Sequence, residues 1–375
     1  MASQIYAAAP SPDKNTARPR LLTGSLGLCA LALFSVAPVL AQQKSTAPVF
    51  EISSGTPLLA QPASTGIVVG QGGNFSIPLP DGRTLWLLNN VMTGEFRPDG
   101  QSAVWDIVDG AAAFSASTSP YAQAGGLRCV ANDAGLPLPL LSGIADGQAR
   151  RFWPRSGRCS AGKCYIFFSV MNNYGPEPYD YFRVGQGVAY AENPAGPYKK
   201  ALYGARYSFW NDIEPAFGSA LLADDDNWLY VYGRVMTAPG EYAAALARVK
   251  PEQAASREKY EYYGAAASSG PWTTDLAEAS TFLEGVPEDF SVSYNDFLKS
   301  YLAVYLNQES GATLARQARY PWGPWGESFT LLACTPEDYC FGSKEQPGFA
   351  SENGRKIILT VEKKNAPYLY QITFK

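Results

Sequence analysis

Histidine is absent from the whole of this 375-residue sequence. Proton transfer would therefore fall to a carboxylate, Tyr, Lys or Cys, and Ser-His-Asp hydrolysis and histidine-ligated metal sites are excluded. The most suggestive carboxylates are Asp212 and Glu214, in the run FWNDIEPAFGSALL. At i and i+2 of an extended chain they share one side, beside Trp210. Asp289 opens a second run of the same kind, DFSVSY. Paired carboxylates at the mouth of a channel are what glycoside hydrolysis needs: one protonates the leaving oxygen, and the other activates water or attacks. Their separation of roughly 5 to 9.5 Å asks for acids from different strands, which makes Asp212, Glu214 and Asp289 the candidate catalytic residues. The plainer alternative is that Asp212 caps a turn and Glu214 pairs with Arg206 or Arg183. Candidate substrate contacts are Trp210, Tyr294 and Asp180, the last in the Tyr- and Pro-rich run NNYGPEPYDYFRVGQG. Aromatic faces suit the C–H faces of sugar rings, although the same run also reads as an ordered surface loop. No metal ligand and no cofactor are assigned. Asp224-Asp225-Asp226-Asn227 reads as a solvated hairpin turn, with oxygen-only ligation by calcium left open elsewhere.

The strands that must hold these residues repeat. A polar turn residue followed by an apolar and aromatic run recurs at Arg83 (TLWLLN), Lys163 (CYIFFSV), Asn227 (WLYVYG), Lys299 (SYLAVYL) and Arg355 (KIILTV), at spacings of 80, 64, 72 and 56 residues. Each copy is followed by a further strand, from Ala103, Gly187, Ala244, Thr313 and Tyr368. Phe290 to Trp325 parses as one complete antiparallel meander. Self-similarity at this period points to an all-β, five-bladed β-propeller built from four-stranded antiparallel meanders; two packed sheets would not explain five copies of one pattern. The innermost strands are expected at Asn74 to Leu79, Ala149 to Pro154, Ile213 to Leu222, Asp289 to Tyr294 and Gly348 to Glu352. Acids at their starts, namely Asp146, Asp212, Glu214, Glu288 and Asp289, would face one mouth of the channel. Helical signal is confined to Pro251–Ala255 and Asp275–Glu284.

Residues 1–41 read as a secretory signal: Leu21–Ala37 carries no charge, Lys14, Arg18 and Arg20 precede it, and Val39-Leu40-Ala41 resembles a cleavage site; the alternative is an uncleaved anchor, for which this apolar run is at the short end of a bilayer span. Residues 42–65 read as a flexible leader and 66–375 as a single propeller domain. The expected mature form is a secreted or periplasmic monomer outside the membrane. The net charge is −4, and removing a signal with three cations and one acid makes it more negative. That disfavours nucleic acid as a partner. Cys159/Cys164 and Cys334/Cys340 are spaced to form disulfides in an oxidising compartment, which leaves Cys129 as a buried free thiol.

GNFSIPLPDGRTLWLLNN, AFGSALLADDDNWLYVYG, SVSYNDFLKSYLAVY and ARYPWGPWGES resemble successive blades of a secreted family catalogued as a domain of unknown function. Some members of that family are endo-D-arabinanases, and it is similar in architecture to arabinanase- and levansucrase-like glycosidases. The resemblance covers residues 66–375. It implies an acidic funnel acting on a polysaccharide or oligosaccharide, with arabinan-type glycans favoured. The chain departs from the family pattern where that pattern has two first-blade acids: Gly72 and Asn89-Asn90-Val91 stand in those places. At Asn90 an amide would keep hydrogen bonding to substrate but not proton transfer. Two classes of function follow: a glycoside hydrolase-like enzyme using other acids, or a catalytically silent propeller that binds a glycan or an envelope partner.

Overall fold

A computed structural model describes residues 47–61, 67–115, 127–143, 150–176, 180–265 and 271–375. The expected signal segment and Asp146 lie outside these residues. The chain folds into five antiparallel sheets arranged as a five-bladed β-propeller. The five repeats are the second strands of successive blades: Thr84–Phe96, Lys163–Asn173, Leu229–Ala238, Ser300–Leu306 and Lys356–Lys363. Their apolar runs are continuous rather than alternating because each lies between neighbouring blades and buries both faces. Cys164–Met171, for example, is buried throughout.

Five hydrophobic clusters sit at the five blade interfaces. Phe75 and Leu87 of the first blade pack with Phe152 and Phe168 of the second. Phe167 packs with Phe217 and Val231 of the third blade, and Tyr232 with Phe290 and Tyr305 of the fourth. Leu302 and Val304 meet Leu359 and Ile372 of the fifth blade. Trp86 and Leu88 then meet Ile358 and Leu369, which closes the ring. Helical structure among the described residues is limited to single 3-10 turns, two of them at Pro251–Gln253 and Leu276–Glu278.

Two expectations need correcting. The segment read as a flexible leader carries short strands: Phe50–Ile52 is the outermost strand of the fifth blade, pairing with Ala366–Phe374, and Ala60–Gln61 edges the first blade. The fifth inner strand is Cys340–Glu345, not Gly348–Glu352, since Pro347–Phe349 forms a 3-10 turn. Lys344 and Glu345 disguise that strand, because two adjacent charges read as surface until buried polar partners are supplied.

The inner strands are Ile67–Pro78, Arg150–Ser160, Ala216–Ala223, Phe290–Asn295 and Cys340–Glu345. Four of them break register against the second strand, at Gly72/Phe75, Pro154/Gly157, Phe217/Ala220 and Phe341/Lys344. Irregularities of this kind re-aim side chains near sites. Gly218 shows why one position must be glycine: its φ is 101°, and a Cβ there would lie 2.2 Å from Phe167 Cβ. Because inner and second strands are antiparallel, the starts of the inner strands and the ends of the second strands share one mouth of the channel. The hairpins rising there are long in the first three blades, with strand pairs of 13 and 14, 11 and 11, and 10 and 9 residues. In the fourth blade they are 7 and 6 residues. In the fifth blade they are 8 and 9 residues, so the wall of the mouth is tallest at the first blade and lowest at the fourth.

Candidate functional site

The channel narrows at mid-depth to a cavity of about 70 Å³, lined by Ser76, Ser156, Ala220, Ser291 and Glu345, one from each blade. This is far below the roughly 300 Å³ of the smallest ordinary ligand pockets, so a ligand would have to sit at the mouth. Glu345 is buried there with its carboxyl bonded to the Ser293 hydroxyl at 2.6 Å, and burial pushes its pKa up to about 7.

At the floor of the mouth lies an ion cluster from four blades. Arg155, at the irregular point of the second inner strand, is 4% exposed. Its guanidinium donates to Ser169 Oγ at 3.0 Å and to Asp289 at 2.6 Å, and it pairs with Glu288 at 3.0 Å. Burial opposes its charge, but Glu288 and Asp289 outweigh that and raise its pKa. The other Asp289 oxygen lies 3.7 Å from Lys344 Nζ, which donates to the carbonyls of Gly73 and Gly342. Glu362, at the end of the fifth blade's second strand, accepts from Asn74 Nδ2 at 2.8 Å. Burial pushes the Glu362 pKa up to about 8; Lys344 partly opposes this and Asp289 adds to it. Asn74 is fully buried.

The Gly72 departure has a structural counterpart. A Cβ on residue 72 would stand 3.4 Å from Glu362 Oε2, so the carboxyl group at this place comes from the fifth blade. Asn90 sits with φ at 45° and a buried Oδ1 that has no protein partner; Asn89 Oδ1 and Asn172 Oδ1 are likewise buried without one.

The predicted residues divide. Asp289 is in the cluster. Asp212 and Glu214 sit on the turn entering the third inner strand, which Arg183 holds by donating to the carbonyls of Asn211, Asp212 and Glu214 at 2.8, 2.7 and 3.0 Å. The Asp212 side chain is exposed. Glu214 accepts from the Asn211 N–H at 2.7 Å and lies 3.6 Å from Arg257, the structural alternative with a different arginine. Trp210 is 1% exposed; its indole donates to the Tyr262 hydroxyl, so it packs a blade interface and offers no face to a ligand. Tyr294, the penultimate residue of the strand that Asp289 precedes, lies roughly 17 Å away at 3.3 Å per residue, toward the opposite mouth. Asp180 borders the second-blade hairpin, where its carbonyl accepts from Tyr174 N–H.

Sequence reasoning passed over Arg155, Lys344, Glu362, Arg183 and Arg234 as site residues. A charged residue inside an inner strand was the available signal. The hairpins around the mouth expose Phe96, Trp105, Tyr174, Phe182 and Met236. Among the described residues, the grouping of metal-ligand type is Cys334, Asp338 and Cys340, whose two sulfurs are joined as a disulfide. Cys159 and Cys164 form the other expected disulfide. Cys129 is buried and free, its thiol pushed up to about 12 by burial.

Residues 138–373 match the family described as Domain of unknown function (DUF4185). The fold is similar to that of a Bacteroides ovatus protein provisionally described as a hydrolase, at 17% identity over 84% of this chain and 87% of that one, with a TM-score of 0.59. A GH43_1 enzyme from Xanthomonas citri aligns at 15% identity over 85% of this chain and 90% of that one, with a TM-score of 0.49. At such identities the likeness is one of fold. No curated protein matches the chain.

Proposed function

The chain belongs to the DUF4185 family, and from that premise we propose that it is a secreted propeller that binds an oligosaccharide or polysaccharide in the walled mouth of its funnel. The observation that carries this reading is the pairing of a fixed polar floor with exposed aromatic walls. Arg155, Asp289 and Lys344 form the floor, while Trp105, Phe96, Tyr174 and Phe182 stand on the hairpins above it. Aromatic surface above convergent polar groups suits a sugar, which has an apolar face and a polar edge.

Binding without turnover is favoured by how the mouth acids are held. Glu288 and Asp289 share Arg155, and Glu214 is bonded to a backbone N–H beside Arg257. A carboxylate engaged in an ion pair or a backbone bond must give up that partner before it can act on a substrate. A hydrolytic reading rests on a different observation: Glu362 is held protonated near neutrality and feels the charge of Asp289. A buried protonated acid beside a second carboxyl group supplies the proton donor that acid–base catalysis asks for. In that reading Glu362 donates the proton, and Asp289 activates water once substrate loosens Arg155. The two disulfides fit secretion into an oxidising compartment.

The test is calorimetric titration of the purified chain with arabinans, fructans and envelope polysaccharides, alongside an assay for released reducing sugar. Binding without release, weakened in Trp105→Ala and Tyr174→Ala, is the expected result. Failure of every glycan to bind would overturn the proposal. Release abolished by both Glu362→Gln and Asp289→Asn would replace it with the hydrolytic reading.

A further inference from the structure

Arginines crowd the mouth beyond what its acids require. Arg155 and Arg183 come from the second blade and Arg234 from the third, and all three lie close enough to Glu288 for its charge to act on them. Lys344 adds a fourth cation through Asp289. The guanidinium of Arg183 is fixed on the Asn211–Glu214 turn, so it cannot swing away. That of Arg234 lies 3.3 Å from the Tyr242 ring centroid, and its buried Nε has no protein partner. Burial, together with repulsion from Arg155, lowers the pKa of both Arg183 and Arg234. Against these four cations stand the carboxylates of Glu288 and Asp289, with that of Asp212 exposed on the rim and that of Glu214, on the same turn, matched by a further cation, Arg257, at 3.6 Å. The buried Glu362 carboxyl is close enough to Lys344 and Asp289 for their charges to act on it, and its raised pKa keeps it mainly neutral at pH 7. Farther out, Arg151 is matched by Asp109 at 3.0 Å.

One guanidinium paired with Glu288 at 3.0 Å, two more near enough to feel its charge, and a buried Arg234 N–H without a protein partner make a site short of negative charge. We propose that the Arg155–Arg183–Arg234 cluster receives the anionic substituent, a carboxylate or a sulfate, of an acidic sugar residue bound in the mouth. The inference rests on the saccharide-binding reading and narrows it to acidic glycans. Planar guanidinium forks match the oxygen spacing of both anions, and the Arg234 Nε–H supplies a donor that Glu288 leaves unused. A neutral sugar would leave the excess charge of the cluster uncompensated.

Matched ligands separate this inference from the reading beneath it. The protein is titrated with oligogalacturonate and its carboxyl-reduced counterpart, and with a sulfated galactan oligosaccharide and its desulfated counterpart. The acidic member of at least one pair should bind roughly 10- to 100-fold more tightly, the scale of a charge-assisted hydrogen bond. Which pair shows the difference tells uronate from sulfate. Arg234→Met should erase the preference, and the ligand pairs on the unmodified protein give the same answer if that variant misfolds. Equal binding within both pairs would overturn the inference and leave a saccharide site standing; no binding by any of the four would overturn both.

Discussion

Arg155→Met keeps the length of the side chain but removes the cation that Asp289 and Glu288 share at 2.6 and 3.0 Å, leaving Asp289 with Lys344 at 3.7 Å. The expected cost is about 3–5 kcal/mol in a urea unfolding experiment, the scale of a buried charge stripped of its partner. A loss below about 1 kcal/mol would mean that water already screens the pair. Glu345 and Glu362 make a second prediction at this scale. Their folded pKa values, about 7 and about 8, lie above the ordinary glutamate value of 4.5. The folded protein therefore holds protons that the unfolded chain releases between these limits. The contribution is intact below about pH 4.5 and is lost as pH rises toward 8, with a slope of up to about 1.4 kcal/mol per pH unit for each group. Glu345→Gln and Glu362→Gln should each flatten the decline, measured by urea midpoints between pH 5 and 8. An unchanged slope in both would refute the assignment. The acids were legible as residue types, and Asp289 lies within the ion cluster. Their arrangement was not, because Arg155 and Lys344 gain meaning only when three blades bring them and Asp289 within 4 Å.

Among the elements, the second strands were readable because burial on both faces leaves an unbroken apolar run, and Arg83, Lys163, Asn227, Lys299 and Arg355 mark where each begins. The fifth inner strand was not, because Cys340–Glu345 carries its buried face on Ser343, Lys344 and Glu345 rather than on apolar side chains. Trp210 misled for a related reason. Its neighbours Asp212 and Glu214 are at the rim, while its own ring lies between Phe217 and Tyr260 in the core. Trp210→Ala should accordingly cost about 3–5 kcal/mol, as a large core truncation does. Trp105→Ala, on an exposed hairpin tip, should leave the unfolding midpoint within about 0.5 kcal/mol of the parent while weakening glycan binding. The two substitutions place core and rim tryptophans in opposite columns of stability and affinity; equal effects on stability would contradict the division.

For the whole molecule, five interface clusters and an N-terminal strand on the last blade make the ring continuous. Removing residues up to Ser54 would strip Phe50–Ile52 from Ala366–Phe374 and break the bond from Ser53 N–H to the Gln371 carbonyl. The expected loss is about 3 kcal/mol, near 1 kcal/mol for each ladder hydrogen bond, read as a lower urea midpoint with the same fold by circular dichroism. An unaffected midpoint would mean that the seam carries no weight. Five copies of one strand pattern made the propeller legible; the seam was hidden, because a three-residue strand in a Ser-, Thr- and Pro-rich stretch has no periodicity to announce it. Phe50 faces Phe374 across that seam, and this pairing sets an order of events during synthesis. The ring cannot close until the final blade has been made, so Phe50–Ile52 must wait uncommitted while some three hundred residues are added behind it. A chain arrested in any earlier blade would present an unsealed edge, open to pairing with another unfinished copy.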